Sequence, residues 1–200
     1  ELTPENIHSA WNGTTLILHK DGKWQEYDIK SGEYKEYKVS VSPKMSAYTK
    51  GQSLWLRGKD GQEKPIAESE NKEITYGQFV SRNEFGIDGG IFWAPDSTTV
   101  AFYRKDESNL TSFPLLVITT RTGSLMEIKY PMAGMDSENV QLGIYDIASG
   151  SVTYVKADEF GYDRYLTNIT WAPDASKIYI QVLDRSQKHM KLNAYDAATG

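Results

Sequence analysis

The sequence predicts an all-β fold, a partial β-propeller of about four blades, and two repeated phrases carry that prediction. Trp93-Ala94-Pro95-Asp96-Ser97 returns as Trp171-Ala172-Pro173-Asp174-Ala175, and each copy runs into an alternating β-prone stretch. Tyr27-Asp28-Ile29-Lys30-Ser31-Gly32 returns as Tyr145-Asp146-Ile147-Ala148-Ser149-Gly150 and as Tyr195-Asp196-Ala197-Ala198-Thr199-Gly200. Phrases that recur every several tens of residues, joined by short strands and turns, are the signature of a propeller. Composition agrees: aromatics make up 12% of the 200 residues, with 13 Tyr and 5 Trp. Aromatic and β-branched side chains suit a pleated, half-buried surface.

The elements follow in order. Thr14 to His19 and Trp24 to Ile29 alternate around Asp21-Gly22, a strong short-range hairpin signal, and Ser31-Gly32 is the next turn. Ser42-Pro43 opens a turn before a strand from Met45 to Thr49. Ser53 to Arg57 makes the next strand, and Asp60-Gly61 turns toward Lys64 to Ala67. Residues 68–90 break the pattern. Glu68 to Glu73 is a polar run, and Gln78 to Ile87 places apolar residues around Arg82-Asn83-Glu84. This stretch reads as a short helical insert or an irregular loop between blades. Blades resume through Trp93, Phe102, Leu115 to Ile118 and Met126 to Lys129, with Arg121-Thr122-Gly123 as the turn; residues 139–156 and 165–198 complete the repeats. In the Trp-Ala-Pro-Asp phrase, Trp is expected to pack between neighbouring blades, Pro to fix the turn, and Asp or Ser to bind turn amides.

Several function classes are disfavoured. Net charge is −5 with no long basic run, so a nucleic-acid partner lacks its electrostatic footprint. No apolar run approaches the roughly 18 residues of a membrane span. There is no cysteine, hence no disulfide, thiolate metal site or thiol nucleophile. His8, His19 and His189 show no metal-ligand spacing, so neither a metal nor another cofactor is expected. No Gly-x-Ser-x-Gly elbow occurs; Gly51-Gln52-Ser53-Leu54-Trp55 lacks the second glycine. The chain opens at Glu1 without Met, which reads as a trimmed start, and Gly200 closes a turn phrase that elsewhere leads into another strand. The chain therefore reads as cut within a blade, and, where it is stable alone, its open blade edges predict an edge-to-edge homodimer.

The stretch Phe85 to Asp96, its continuation through Val100 to Ser108, and Tyr130-Pro131-Met132-Ala133-Gly134 resemble the N-terminal propeller of the dipeptidyl peptidase IV family, within the prolyl oligopeptidase superfamily. Leu166 to Trp171 and Met190 to Asp196 resemble its next blade. The resemblance covers nearly the whole chain and looks closest to the bacterial members. It implies an eight-bladed ring, of which residues 1–200 would be about half. It also implies a C-terminal α/β-hydrolase domain, outside this chain, that carries Ser, His and Asp. The parent would be a periplasmic or secreted serine peptidase that removes Xaa-Pro or Xaa-Ala dipeptides from peptides with a free N-terminus. In that family the propeller gates the substrate and grips its α-amino group with adjacent glutamates. The matching residues here are Arg82, Asn83 and Glu84: Glu84 carries over, Asn83 brings no charge, and Arg82 stands close enough to neutralise Glu84. The alternative is a propeller that binds peptides or proteins without catalysis.

Overall fold

The structure is a computed structural model that describes residues 9–12, 15–20, 23–36, 45–69 and 71–200. The Asp21-Gly22 and Ser42-Pro43 turns, and His8, lie outside the described residues. The chain divides into two units, Glu1–Lys44 and Met45–Gly200.

The first unit is a four-stranded antiparallel meander: β1 (Ser9–Asn12), β2 (Thr15–Lys20), β3 (Lys23–Asp28) and β4 (Tyr34–Glu36). The Tyr-Asp-x-x-x-Gly phrase explains the turn between β3 and β4. Asp28 Oδ1 accepts the amides of Lys30 and Ser31 at 2.8 Å each, and Gly32 N–H returns to the Asp28 carbonyl at 2.8 Å. Gly32 has φ +72°, which glycine adopts without steric cost. Asp146 and Asp196 are used in the same way, with Gly150 and Gly200 at φ +72° and +70°. In all three turns hydrogen bonds from the turn, led by Ser31, Ser149 and Thr199, hold the carboxyl below the usual carboxylate range.

The second unit contains three meanders. β5 (Ser46–Lys50), β6 (Ser53–Arg57) and β7 (Glu63–Ala67) form the first. β8 (Ile74–Tyr76) and β9 (Ile91–Trp93) both pair with β10 (Thr99–Asp106), followed by β13 (Asn139–Asp146) and β14 (Val152–Tyr154). β15 (Arg164–Trp171), β16 (Lys177–Asp184) and β17 (Met190–Asp196) form the third. Their strands alternate as a sheet with buried faces requires: Leu54 and Leu56 in β6, and Ile178, Ile180 and Val182 in β16, are all but fully buried.

Within the second unit, successive meanders pack face to face. One apolar cluster joins Leu54, Leu56 and Ile66 to Phe102 and Tyr145 of the next sheet, and a second joins Ala101, Tyr103, Leu142 and Ile144 to Leu166, Ile178 and Ile180 of the one after. These are stacked blades of a β-propeller. The two Trp phrases do what the sequence predicts. Trp93 packs into the first cluster, and Trp171 donates its Nε1 hydrogen to the Phe92 carbonyl of the preceding blade at 3.0 Å. Asp96 and Asp174 accept the amides of Thr98 and Ser176.

Two expectations change. Leu115 to Ile118 and Met126 to Lys129 do not belong to a blade. β11 (Ser112–Val117) and β12 (Ser124–Lys129) pair only with each other, as an insertion between β10 and β13. Their apolar residues Leu116 and Leu125 are mostly exposed, so the apolar run did not report burial. The irregular stretch before Trp93 also sits within a blade rather than between blades: β8 precedes it, β9 follows it, and both lie on the same side of β10.

Tyr103 ties two blades together. Its ring is buried, its hydroxyl donates to the Leu166 carbonyl at 2.7 Å, and burial pushes its phenol well above the usual range. Tyr103→Phe leaves that carbonyl unpaired in an apolar setting. It should lower unfolding free energy by about 1.5 kcal/mol, read as a shifted urea midpoint with unchanged m-value. An unchanged midpoint would show that the bond adds nothing net.

Candidate functional site

The site grows from a break in the first strand of one blade. Gly77 N–H donates to the Tyr103 carbonyl at 2.8 Å, and Tyr103 N–H donates to the Gly90 carbonyl at 3.0 Å. Both backbone groups of one β10 residue therefore hold the two ends of the intervening loop. At Gly90 the ends come so close that only glycine fits. A Cβ on Gly90 would lie 2.1 Å from the Gln78 carbonyl oxygen, and one on Gly77 would meet Leu54 at 2.7 Å.

The tip of the loop is Ser81–Gly86, which sequence reading left open between helix and irregular loop. It is no right-handed helix. Ser81, Arg82, Asn83, Phe85 and Gly86 have φ of 52°, 53°, 61°, 56° and 73°, and Glu84 alone is extended at φ −72°, ψ 165°. Left-handed backbone costs L-residues roughly 1–2 kcal/mol each, so the surroundings must fix this shape. Val80, Ser81 and Ile87 are buried beneath it, and the Phe85 ring packs on the Tyr165 ring at 4.6 Å.

The turn brings Arg82, Asn83 and Glu84 together with different roles. Asn83 turns back on the loop, donating its side-chain N–H to the Ile87 carbonyl at 3.0 Å. Glu84 faces outward with its side chain 45% exposed, and Arg82 Nη2 pairs with its Oε1 at 3.1 Å. The neutralising contact read from the sequence is present. The Arg82 guanidinium also lies over the Tyr130 ring at 5.7 Å, so the Tyr-Pro-Met-Ala-Gly segment borders the site.

One carboxylate here was missed in the sequence. Glu138 is buried, its Oε1 accepts the Ser81 amide at 2.7 Å, and its Oε2 lies 3.8 Å from Arg82 Nη1. The signal that marks it is strand parity. Val140, Leu142 and Ile144 form the buried face of β13, and Glu138 precedes Val140 by two residues.

Other charged side chains, outside the loop, pair locally. Arg104 pairs with Asp106 and Lys105 with Glu107, while Asp163 lies 3.7 Å from Arg185. Glu159 accepts hydrogen bonds from Asn193 and Tyr195. Among the described residues no His, Asp and Glu cluster is arranged to hold a metal ion, and no helix is long and apolar enough to cross a membrane.

The family described as dipeptidyl peptidase IV (DPP IV) N-terminal region matches residues 8–200. The probable dipeptidyl-aminopeptidase B of Phaeosphaeria nodorum is 29% identical over 180 residues, covering 80% of this chain and 20% of the relative. The dipeptidyl-aminopeptidase B of Aspergillus niger is 27% identical over 175 residues, covering 78% and 19%. The crystal structure of a Bacteroides ovatus protein assigned as a dipeptidyl aminopeptidase IV superposes with TM-score 0.70 at 38% identity, covering 94% of this chain and 27% of that one. Porphyromonas gingivalis dipeptidyl peptidase 4 superposes with TM-score 0.70 over 96% of this chain and 29% of its own; at 19% identity this likeness speaks for the fold alone. The chain spans about a fifth of the length of the curated relatives it matches.

Proposed function

The chain belongs to the dipeptidyl peptidase IV N-terminal region family, and from that premise we propose that it is the substrate-gating, amine-anchoring part of a serine dipeptidyl aminopeptidase. Residues 1–200 would be part of one propeller domain, and an α/β-hydrolase domain of the same protein would supply nucleophile, base and most of the oxyanion hole. The substrates are peptides with a free N-terminus and Pro or Ala second, met in the periplasm or outside the cell. The observation that carries the reading is the left-handed turn. It holds Glu84 out from a break in the first strand of a blade, half exposed, on a base of buried residues. A carboxylate at fixed depth acts as a ruler: an α-ammonium bound there leaves room for a set number of residues before the scissile bond.

The test is an assay of the full-length protein on chromogenic Gly-Pro and its N-acetylated twin. Cleavage of the free amine alone is expected. Equal cleavage of both would leave a serine peptidase without an amine ruler. A second reading, a peptide-binding propeller without catalysis, draws on the Arg82–Glu84 pair, which already satisfies the outward carboxylate. It predicts cleavage of neither substrate.

A further inference from the structure

We propose that Glu138 is a positioning residue for the amine anchor, an inference that rests on the reading of Glu84 just given. The argument begins with charge. Arg82 and Glu84 alone sum to zero, and a neutral pair attracts an incoming ammonium weakly. The arginine is shared, however. Its Nη2 lies 3.1 Å from Glu84 and its Nη1 lies 3.8 Å from Glu138. One cation between two carboxylates leaves the group at −1, room for one further positive charge of the kind a peptide N-terminus carries.

Burial decides which carboxylate claims the arginine and which meets the substrate. The Glu138 side chain is 6% exposed and the Glu84 side chain 45%. The Glu84 contact is the hydrogen-bonded one, at 3.1 Å, but water competes for it; the Glu138 contact, at 3.8 Å, is the less solvated of the two and is screened less. Glu84 is the partner that can exchange Arg82 for a ligand ammonium at little cost. Glu138 also fixes where the exchange happens. Its other oxygen accepts the amide of Ser81, the first left-handed residue of the turn, and the Tyr130 ring lies beside the guanidinium. Glu138 thus acts through Arg82 and the turn, without touching the substrate.

Glu138→Gln tests this in the full-length protein on chromogenic Gly-Pro, because the amide keeps an oxygen for the Ser81 N–H and removes only the charge. The expected result is a roughly tenfold rise in KM with kcat within about twofold. The charge argument makes a sharper demand of the double variant. Arg82→Gln added to Glu138→Gln restores a net −1 at Glu84 and should bring KM back to within about threefold of wild type. A purely structural role for Glu138 predicts no such rescue. Glu84→Ala separates the layers. If it raises KM while Glu138→Gln does not, this inference fails and the anchor stands. If Glu84→Ala leaves KM unchanged, both fail. If Glu138→Gln does not fold, Arg82→Gln alone carries the test: a lower KM than wild type is expected, and an unchanged or higher one overturns the proposal.

Discussion

Glu84→Ala is expected to lower kcat/KM for Gly-Pro substrates of the full-length protein by about tenfold, with most of the loss in KM. A hydrogen bond to a charged group contributes about 1.5–3 kcal/mol, and the lower end applies here for two reasons. The Glu84 side chain is 45% exposed, so water screens it, and Arg82 at 3.1 Å already compensates part of its charge. The loss of about 1.5 kcal/mol corresponds to roughly a factor of ten. Glu84→Gln should lose nearly as much, because the ammonium needs the charge more than the acceptor. The melting temperature is the control. A variant that lost activity by misfolding would melt early, whereas loss of the exposed Glu84 carboxylate leaves melting near wild type. Equal KM for wild type and Glu84→Ala would remove Glu84 from substrate recognition.

Gly90→Ala should be the most disruptive single change in the loop, lowering unfolding free energy by about 3 kcal/mol, the upper end for an overpacked site. Its added Cβ would sit 2.1 Å from the Gln78 carbonyl oxygen and 2.6 Å from the Gly77 carbonyl carbon. Both are backbone atoms, so no rotamer change relieves the clash. The neck must open, which strains the bonds from Gly77 and Gly90 to Tyr103. For a unit of this size the melting temperature should fall by roughly 6–12 °C. Gly89→Ala is the matched comparison. A Cβ there meets nothing within 4 Å and its φ is not positive, so its melting temperature should stay near wild type. Two variants that melt together would mean the neck is not closed as described.

The blades were legible because each depends on local signals. Alternation gave β6 and β16, and Asp with Gly at fixed offsets gave the three Tyr-Asp-x-x-x-Gly turns, whose chemistry is complete within six residues. The Trp phrases were legible for the same reason. The loop was not. Its shape rests on residues far along the chain: Tyr103 holds the neck, Glu138 caps Ser81, and Tyr165 packs on Phe85. β8 escaped notice because three residues with partners at Arg104 to Asp106 carry no period of their own. β11 and β12 misled in the opposite direction, since their apolar residues imitate a buried strand while standing in solvent. At the site, Arg82, Asn83 and Glu84 could be singled out by resemblance, but the share each takes required the distances. The inward turn of Asn83 and the burial of Glu138 are facts of packing.

The pairing of β8 and β9 with β10 continues through the loop as though the loop were absent. Ile74 to Tyr76 match Asp106 to Arg104, Gly77 and Gly90 share Tyr103, and Ile91 to Trp93 match Phe102 to Val100. No residue of the blade changes its partner or its face to accommodate the insertion. The turn is therefore mounted in a socket: the strand pairing runs on across it, and Val80 and Ile87 root it in the apolar cluster of the blade. Change at the exposed positions Arg82 and Glu84 leaves that pairing and those roots in place, so the charge the turn presents and the folding of the blade are inherited here as separable traits.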